Sequence, residues 1–226
     1  MSGRSLPNNV VDRLPYPLRR ITYPAFVIAL LAVITTELIF STRQESQVVD
    51  ESAHVFAGFE YWKHADFGRN PEHPPLVKLI AAVPLLPLRL KEPGISPIPF
   101  FKAQDFIGAS DFLYSTDADS ILMHSRTVLA VFTVGLAVLV LAAAYEMFAP
   151  QTALFALALF TLEPVLLANG ALVTTDMALT CLFFASVYTF YRYVKRPALT
   201  RLALCTIATG FTFVFKHSGA LILPTL

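Results

Sequence analysis

The sequence predicts an all-α, polytopic membrane protein, and three observations carry that prediction. Hydrophobic residues make up 55% of the 226 and charged residues only 15%, against about 45–50% and about 25% in soluble domains. Mean hydropathy is +0.60, too high for one soluble domain of this length to bury. The apolar residues also gather into runs of about 20, the length at which a helix crosses a bilayer core. A disordered chain, a collagen-like chain and a small disulfide scaffold are excluded by the same composition. A net charge of +1 excludes bulk nucleic acid as a partner, because phosphate binding needs concentrated Lys and Arg. Cys181 and Cys205 both lie in apolar stretches and form no metal motif.

Residues 1–20 read as a cytoplasmic tail bearing Arg4, Arg13, Arg19 and Arg20. Residues 21–40 are the first span. The run is too long for a signal-peptide core and no small-x-small cleavage site follows, so it reads as an uncleaved anchor. Residues 41–127 form a long exterior loop. Residues 128–226 hold four further runs, Val128–Phe148, Thr152–Ala168, Met177–Val194 and Leu199–Phe215. The apolar stretch Gly219–Leu226 reads as the start of a sixth span, giving five to six in all, in a chain that is the front part of a larger protein. Arg192, Lys195, Arg196 and Arg201 join the fourth and fifth runs. Placing both basic groups in the cytoplasm gives an alternating topology with an exterior loop 41–127 and a short exterior loop 169–176.

The long loop holds 11 of the 16 acids and four of the five histidines. Leu76–Leu90 is apolar apart from Lys78 and Arg89, too short to span, and interrupted by Pro84 and Pro87. It reads as a pair of interfacial helices with both basic side chains reaching the head groups. Asp50–Asp66 is expected to form a helix along the membrane surface, and Pro93–Pro99 an irregular connector.

Four places in these loops bear chemistry. In a helix beginning near Asp50-Glu51, Asp50, His54 and Gly58 share a face, with Tyr61 beyond. These acids are either capping residues or carboxylates held at the membrane surface to accept a proton from a hydroxyl. Arg69, His73 and Lys78 follow in the segment from Asp66, where consecutive prolines push His73 out of the helical region. They either hold an anionic head group or are simply solvated. His54, His64, His73 and Glu72 match no metal-ligand spacing. Asp176 opens the fourth span on the same side as Asp50, as a cap or as a second acid. Lys216 precedes His217 where the fifth span ends, as a snorkelling anchor or as a partner for phosphate.

Glu37 and Glu163 lie within apolar runs, and Pro164 should kink the third. Acids at membrane depth usually face a cavity or a partner, which keeps a transporter or lipid-translocating protein open as an alternative. A non-catalytic membrane subunit, with Asp50 and Asp176 as mere caps, is another. Neither the repeats nor the broken midplane helices of transporters are visible.

The motif order resembles a known family. Asp50-Glu51-Ser-Ala-His54, with Gly58, Tyr61 and Asp66, leads into Asn70-Pro-Glu-His-Pro-Pro-Leu76 and Lys78. This is similar to the first exterior loop of phospholipid carrier-dependent glycosyltransferases of the GT-C type, which are related to protein O-mannosyltransferases and to aminoarabinose transferases of lipid A. Leu172-Val-Thr-Thr-Asp176 and Phe215-Lys216-His217-Ser218 resemble later segments of the same enzymes. The resemblance implies a helical fold with interfacial helices in the first exterior loop. It also implies transfer of a sugar, hexosyl (mannosyl included) or pentosyl, from a polyprenyl-phosphate carrier to a protein or glycolipid acceptor, in a bacterial cytoplasmic membrane. By the same resemblance Asp50, with Glu51 beside it, is the general base. Asp176 assists, Lys216, Arg69, Lys78 and His73 contact the carrier phosphate, and His54 and Tyr61 orient substrate. No cofactor or metal site is implied, although two acids and a phosphorylated donor leave divalent-ion dependence open. No nucleotide-binding glycine loop is present, consistent with a lipid-linked donor.

Overall fold

The computed structural model describes residues 16–92 and 101–226, with side chains from 22 to 92 and from 106 on. Most of the expected tail and the proline-rich connector lie outside the described residues. The described residues form helices joined by loops, with no strand among them, as expected. In chain order the elements are α1 (Tyr16–Gln44), α2 (Val49–His64), α3 (Leu76–Ala82) with a 3₁₀ turn at Val83–Leu85, α4 (Phe101–Tyr114) and α5 (Ala118–Met147). There follow α6 (Pro150–Thr161), α7 (Pro164–Asn169), α8 (Asp176–Lys195), α9 (Leu199–Phe215) and a 3₁₀ segment at His217–Thr225. Parts of three helices, Thr22–Gln44, Ala118–Met147 and Asp176–Lys195, are long and apolar enough to cross a membrane; α6 and α9 are apolar but shorter. The chain is an all-α membrane protein.

Local chemistry sets several of these boundaries. Asp117 caps α5 by accepting the Ser120 N–H at 3.2 Å. The helix therefore starts ten residues before the apolar run at Val128, because a polar first turn costs a helix nothing once it is capped. Between Thr161 and Pro164 the third run breaks. Proline lacks an N–H and is favoured in a first turn, and α7 restarts there with Glu163 accepting the Val165 N–H at 3.3 Å. The stretch read as a sixth span is a 3₁₀ segment folded back on α9. A Cβ on Gly219 would lie 2.2 Å from the Thr212 carbonyl oxygen, so only glycine allows that approach.

Two features of the long loop go beyond what local patterning indicates. The helix expected over Asp50–Asp66 forms as α2, and every residue from Glu51 to Tyr61 is buried within the protein. Phe56 and Phe59 pack against Phe112 of α4, with ring centroids 5.4 and 5.0 Å apart. Val77, Ala81, Leu85, Leu113 and Ile121 complete this core. Burying each large apolar side chain contributes roughly 1.5–3 kcal/mol. Contrary to expectation, Lys78 does not reach outward. It is fully buried, because α2 and α3 pack closely at Gly58, where a Cβ would stand 2.0 Å from the Lys78 carbonyl oxygen.

Helix ends alternate between two ends of the bundle. One end gathers the C-terminus of α1, the N-terminus of α5, the 170–175 loop and the α2–α4 layer. At the other, Tyr23 meets Tyr145 at 6.0 Å, Tyr188 donates to Glu146 at 2.7 Å and Arg201 donates to the Arg192 carbonyl at 2.7 Å. The spans between are joined by small-residue contacts such as Gly135 against Cys181, the usual means of close helix approach in lipid.

Candidate functional site

The site is built on the first turn of α2. Glu51 is completely buried, and its carboxylate accepts four hydrogen bonds. Two come from Arg126 of α5, Nε to Oε1 at 2.8 Å and Nη2 to Oε2 at 2.5 Å. The others come from the backbone N–H of Val48 at 2.9 Å and of Val173 at 2.9 Å. Arg126 gives its remaining N–H groups to the carbonyls of Thr42, Glu45 and Ser46 at 2.9–3.0 Å. All five guanidinium donors are used, the condition under which a buried ion pair is tolerated. Glu51, expected beside Asp50 as a second acid, has no oxygen lone pair turned to an open face.

His54, one turn further along α2, reaches the same loop. Its Nδ1–H donates to the Val173 carbonyl at 2.8 Å, so Val173 is gripped at both its N–H and its C=O by α2. That clamp carries the loop into α8 and sets the position of Asp176. Burial holds the His54 imidazole below its ordinary pKa, with Lys78 adding to the effect and Asp50 opposing it. The neutral ring keeps one nitrogen as a donor, the state that the Val173 bond requires.

Asp50 is exposed and lies on the His54 face, as the spacing predicted. Across from it, Lys216 at the end of α9 pairs with Asp176 at 2.5 Å; the lysine side chain is 22% exposed and the aspartate 67%. His73 links the two halves. Its ring sits 6.0 Å from that of His54, and its pKa is lowered by burial and then by the nearby charges of Lys216 and Lys78. Its Nδ1 is enclosed without a hydrogen-bond partner. Asp50, His54, His73, Asp176 and Lys216 thus come from four separate parts of the chain to one end of the bundle.

The other expected site residues scaffold the 66–75 loop. Lys78 Nζ donates to the Asn70 carbonyl and side-chain oxygens and, at 3.1 Å, to the His73 carbonyl. Tyr61 donates to the Arg69 carbonyl and stacks on Phe67 at 4.8 Å. Arg69 is half-buried, 3.7 Å from Asp66 and over the Phe56 ring. Among the described residues, no three His, Cys, Asp or Glu side chains form a metal-binding group.

Sequence reasoning missed Arg126. The signal was present as a lone arginine just before a long apolar run, but such residues are usually snorkelling anchors. It also missed Val173, whose role is entirely in its backbone.

The fold is that of a polytopic helical membrane protein with charged groups collected at one end of the bundle. Residues 119–226 match the family model described as dolichyl-phosphate-mannose-protein mannosyltransferase, and the match supports a GT-C-like glycosyltransferase of the mannosyltransferase kind. The matched segment includes Arg126, Val173, Asp176 and Lys216; α2, with Asp50, Glu51 and His54, precedes it. No curated protein and no solved structure matches the chain.

Proposed function

We propose that this chain transfers a sugar from a polyprenyl-phosphate carrier to an acceptor hydroxyl of a protein or glycolipid, at the exterior face of a membrane in which its N-terminus is cytoplasmic. The observation that carries this reading is the Lys216–Asp176 pair beside His73, at the same end of the bundle as Asp50 and His54. The family match to residues 119–226 supports sugar transfer as the reaction class.

In this reading Asp50, exposed in the first turn of α2, accepts the hydroxyl proton as the new glycosidic bond forms. The bond from the sugar to the carrier phosphate breaks, and negative charge collects on that phosphate. Lys216 stabilises the developing charge, exchanging its contact with Asp176 for one with the phosphate. Asp176, released, orients the acceptor. His73, neutral and with an unsatisfied Nδ1, is a hydrogen-bonding group for the phosphate or sugar. Glu51, Tyr61, Arg69 and Lys78 position the groups that react.

The test is Asp50→Asn in the full-length protein, assayed with a radiolabelled polyprenyl-phosphate sugar in membranes. Transfer is expected to fall by about 10²–10⁴, the usual contribution of a general base, with membrane insertion unchanged. Normal transfer by the variant overturns the assignment of Asp50.

A further inference from the structure

At the end of the bundle opposite the acids, α1, α5 and α8 enclose a cleft of about 740 Å³, within the roughly 300–1,000 Å³ range of ligand sites. Its walls are apolar, formed by Val27, Ile28, Val138 and Leu141, and its end is polar, formed by Tyr23, Tyr145, Glu146, Tyr188 and Arg192. From Glu146 to Val138 is eight residues along α5, about 12 Å of helix. The cleft is open to the side, with Ile28 67% and Val138 44% exposed.

The polar end has hydrogen-bonding capacity to spare. Tyr23 Oη is enclosed with no hydrogen-bond partner among the described residues, a costly state for a hydroxyl. Arg192 pairs with Glu146, Nε to Oε2 at 3.1 Å, yet among the described residues this enclosed Nε makes no hydrogen bond. Tyr188 donates to the same carboxylate. Lys195, Arg196 and Arg201 lie at this same end. The surroundings are positive, and an arginine fork suits phosphate oxygens bidentately.

We propose that this cleft binds one anionic glycerophospholipid from the leaflet at the basic end, with an acyl chain against Val27, Ile28 and Val138 and the phosphate on Arg192 and the Tyr23 hydroxyl. The same phosphate chemistry is offered by a polyprenyl phosphate, but a long isoprenoid tail gains no more than the same 12 Å of wall. At equal contact, the bulk bilayer lipid fills the site by mass action. This site is distinct from the acid cluster, and the proposal does not rest on the function assigned to that cluster.

The test is native mass spectrometry of the intact chain in detergent with phosphatidylglycerol, phosphatidylcholine or undecaprenyl phosphate added at equal concentration. Phosphatidylglycerol is expected to be retained about tenfold more strongly than phosphatidylcholine, a preference of about 1.4 kcal/mol. Tyr23→Phe combined with Arg192→Gln should remove that preference. Ala142 also lines the cleft, and Ala142→Trp, which fills it, should remove both adducts. Helical circular dichroism checks that each variant folds; should the double variant fail to fold, Ala142→Trp and Tyr23→Phe alone decide the matter. The proposal is overturned by phosphatidylglycerol binding that survives Ala142→Trp, by preferential capture of undecaprenyl phosphate, or by a cysteine at position 142 that another segment of the full-length protein shields from labelling in lipid-free detergent.

Discussion

Arg126 and Glu51 form a bidentate ion pair, 1% and 0% exposed, that joins the second long helix of the bundle to the first turn of α2. The pair fastens the α2–α4 layer to α5, and through Val173 it also sets the loop leading to Asp176.

Removing one partner leaves the other charged and buried. Arg126→Met is therefore expected to cost about 3–5 kcal/mol, read as a large drop in unfolding temperature in detergent. The double change Arg126→Met with Glu51→Leu should recover part of that loss, since the stranded carboxylate is gone. A double variant no more stable than Arg126→Met would show that the carbonyls of Thr42, Glu45 and Ser46, rather than Glu51, depend on the guanidinium.

The Asp176–Lys216 pair behaves differently because it is partly solvated. Lys216→Gln should alter stability by about 1 kcal/mol or less, yet raise the donor concentration needed for half-maximal transfer. The informative comparison is its thermal midpoint set against its KM for lipid-linked sugar. Loss of stability in step with loss of transfer would reduce the pair to a structural tie.

Acid should loosen this end of the molecule. His54 and His73 are both held below their ordinary value of 6.5 by burial, so the unfolded chain binds protons before the folded one does. Stability from these two groups is present above about pH 6.5 and declines as pH falls through the depressed folded values. Glu60, raised from 4.5 by burial, has the opposite sign and loses stability as pH rises past 4.5. Subtracting the unfolding temperatures of a His54→Asn/His73→Asn variant from those of the wild type at each pH cancels the Glu60 contribution. A difference that does not shrink from pH 7.5 to pH 5.5 would contradict the burial of the two rings.

Two glycines make an internal control. Gly58→Ala drives a methyl into the Lys78 backbone and should destabilise the α2–α3 contact by well over 1 kcal/mol, as overpacking does. A Cβ at Gly210 in α9 meets nothing within 4 Å, so Gly210→Ala should stabilise by up to about 1 kcal/mol through helix propensity alone. Thermal unfolding of the two single variants checks both signs.

Much of the architecture was legible from periodicity and composition. The apolar runs became α1, α5, α8 and α9, Pro164 broke the third run, and Asp50 and His54 share one face of α2. Lys78 departs from expectation for a physical reason. Snorkelling requires that one face of its segment meet lipid or water. In the fold α2 is surrounded by α3, α4 and α5, and a long basic side chain with four oxygen partners satisfies itself inside.

What the sequence determined by itself was the class of structure: helices long and apolar enough to span a membrane, with most of the acids in one loop between them. Those features depend on residue type and spacing along the chain, which are local properties. Only the tertiary structure decided which acid is enclosed and which is open. Asp50 and Glu51 are adjacent and nearly alike in chemistry, and a helix turns successive side chains about 100° apart. The approach of α5 with Arg126 and of the Val173 backbone, 75 and 122 residues distant, occupies every position around Glu51 and leaves Asp50 facing out.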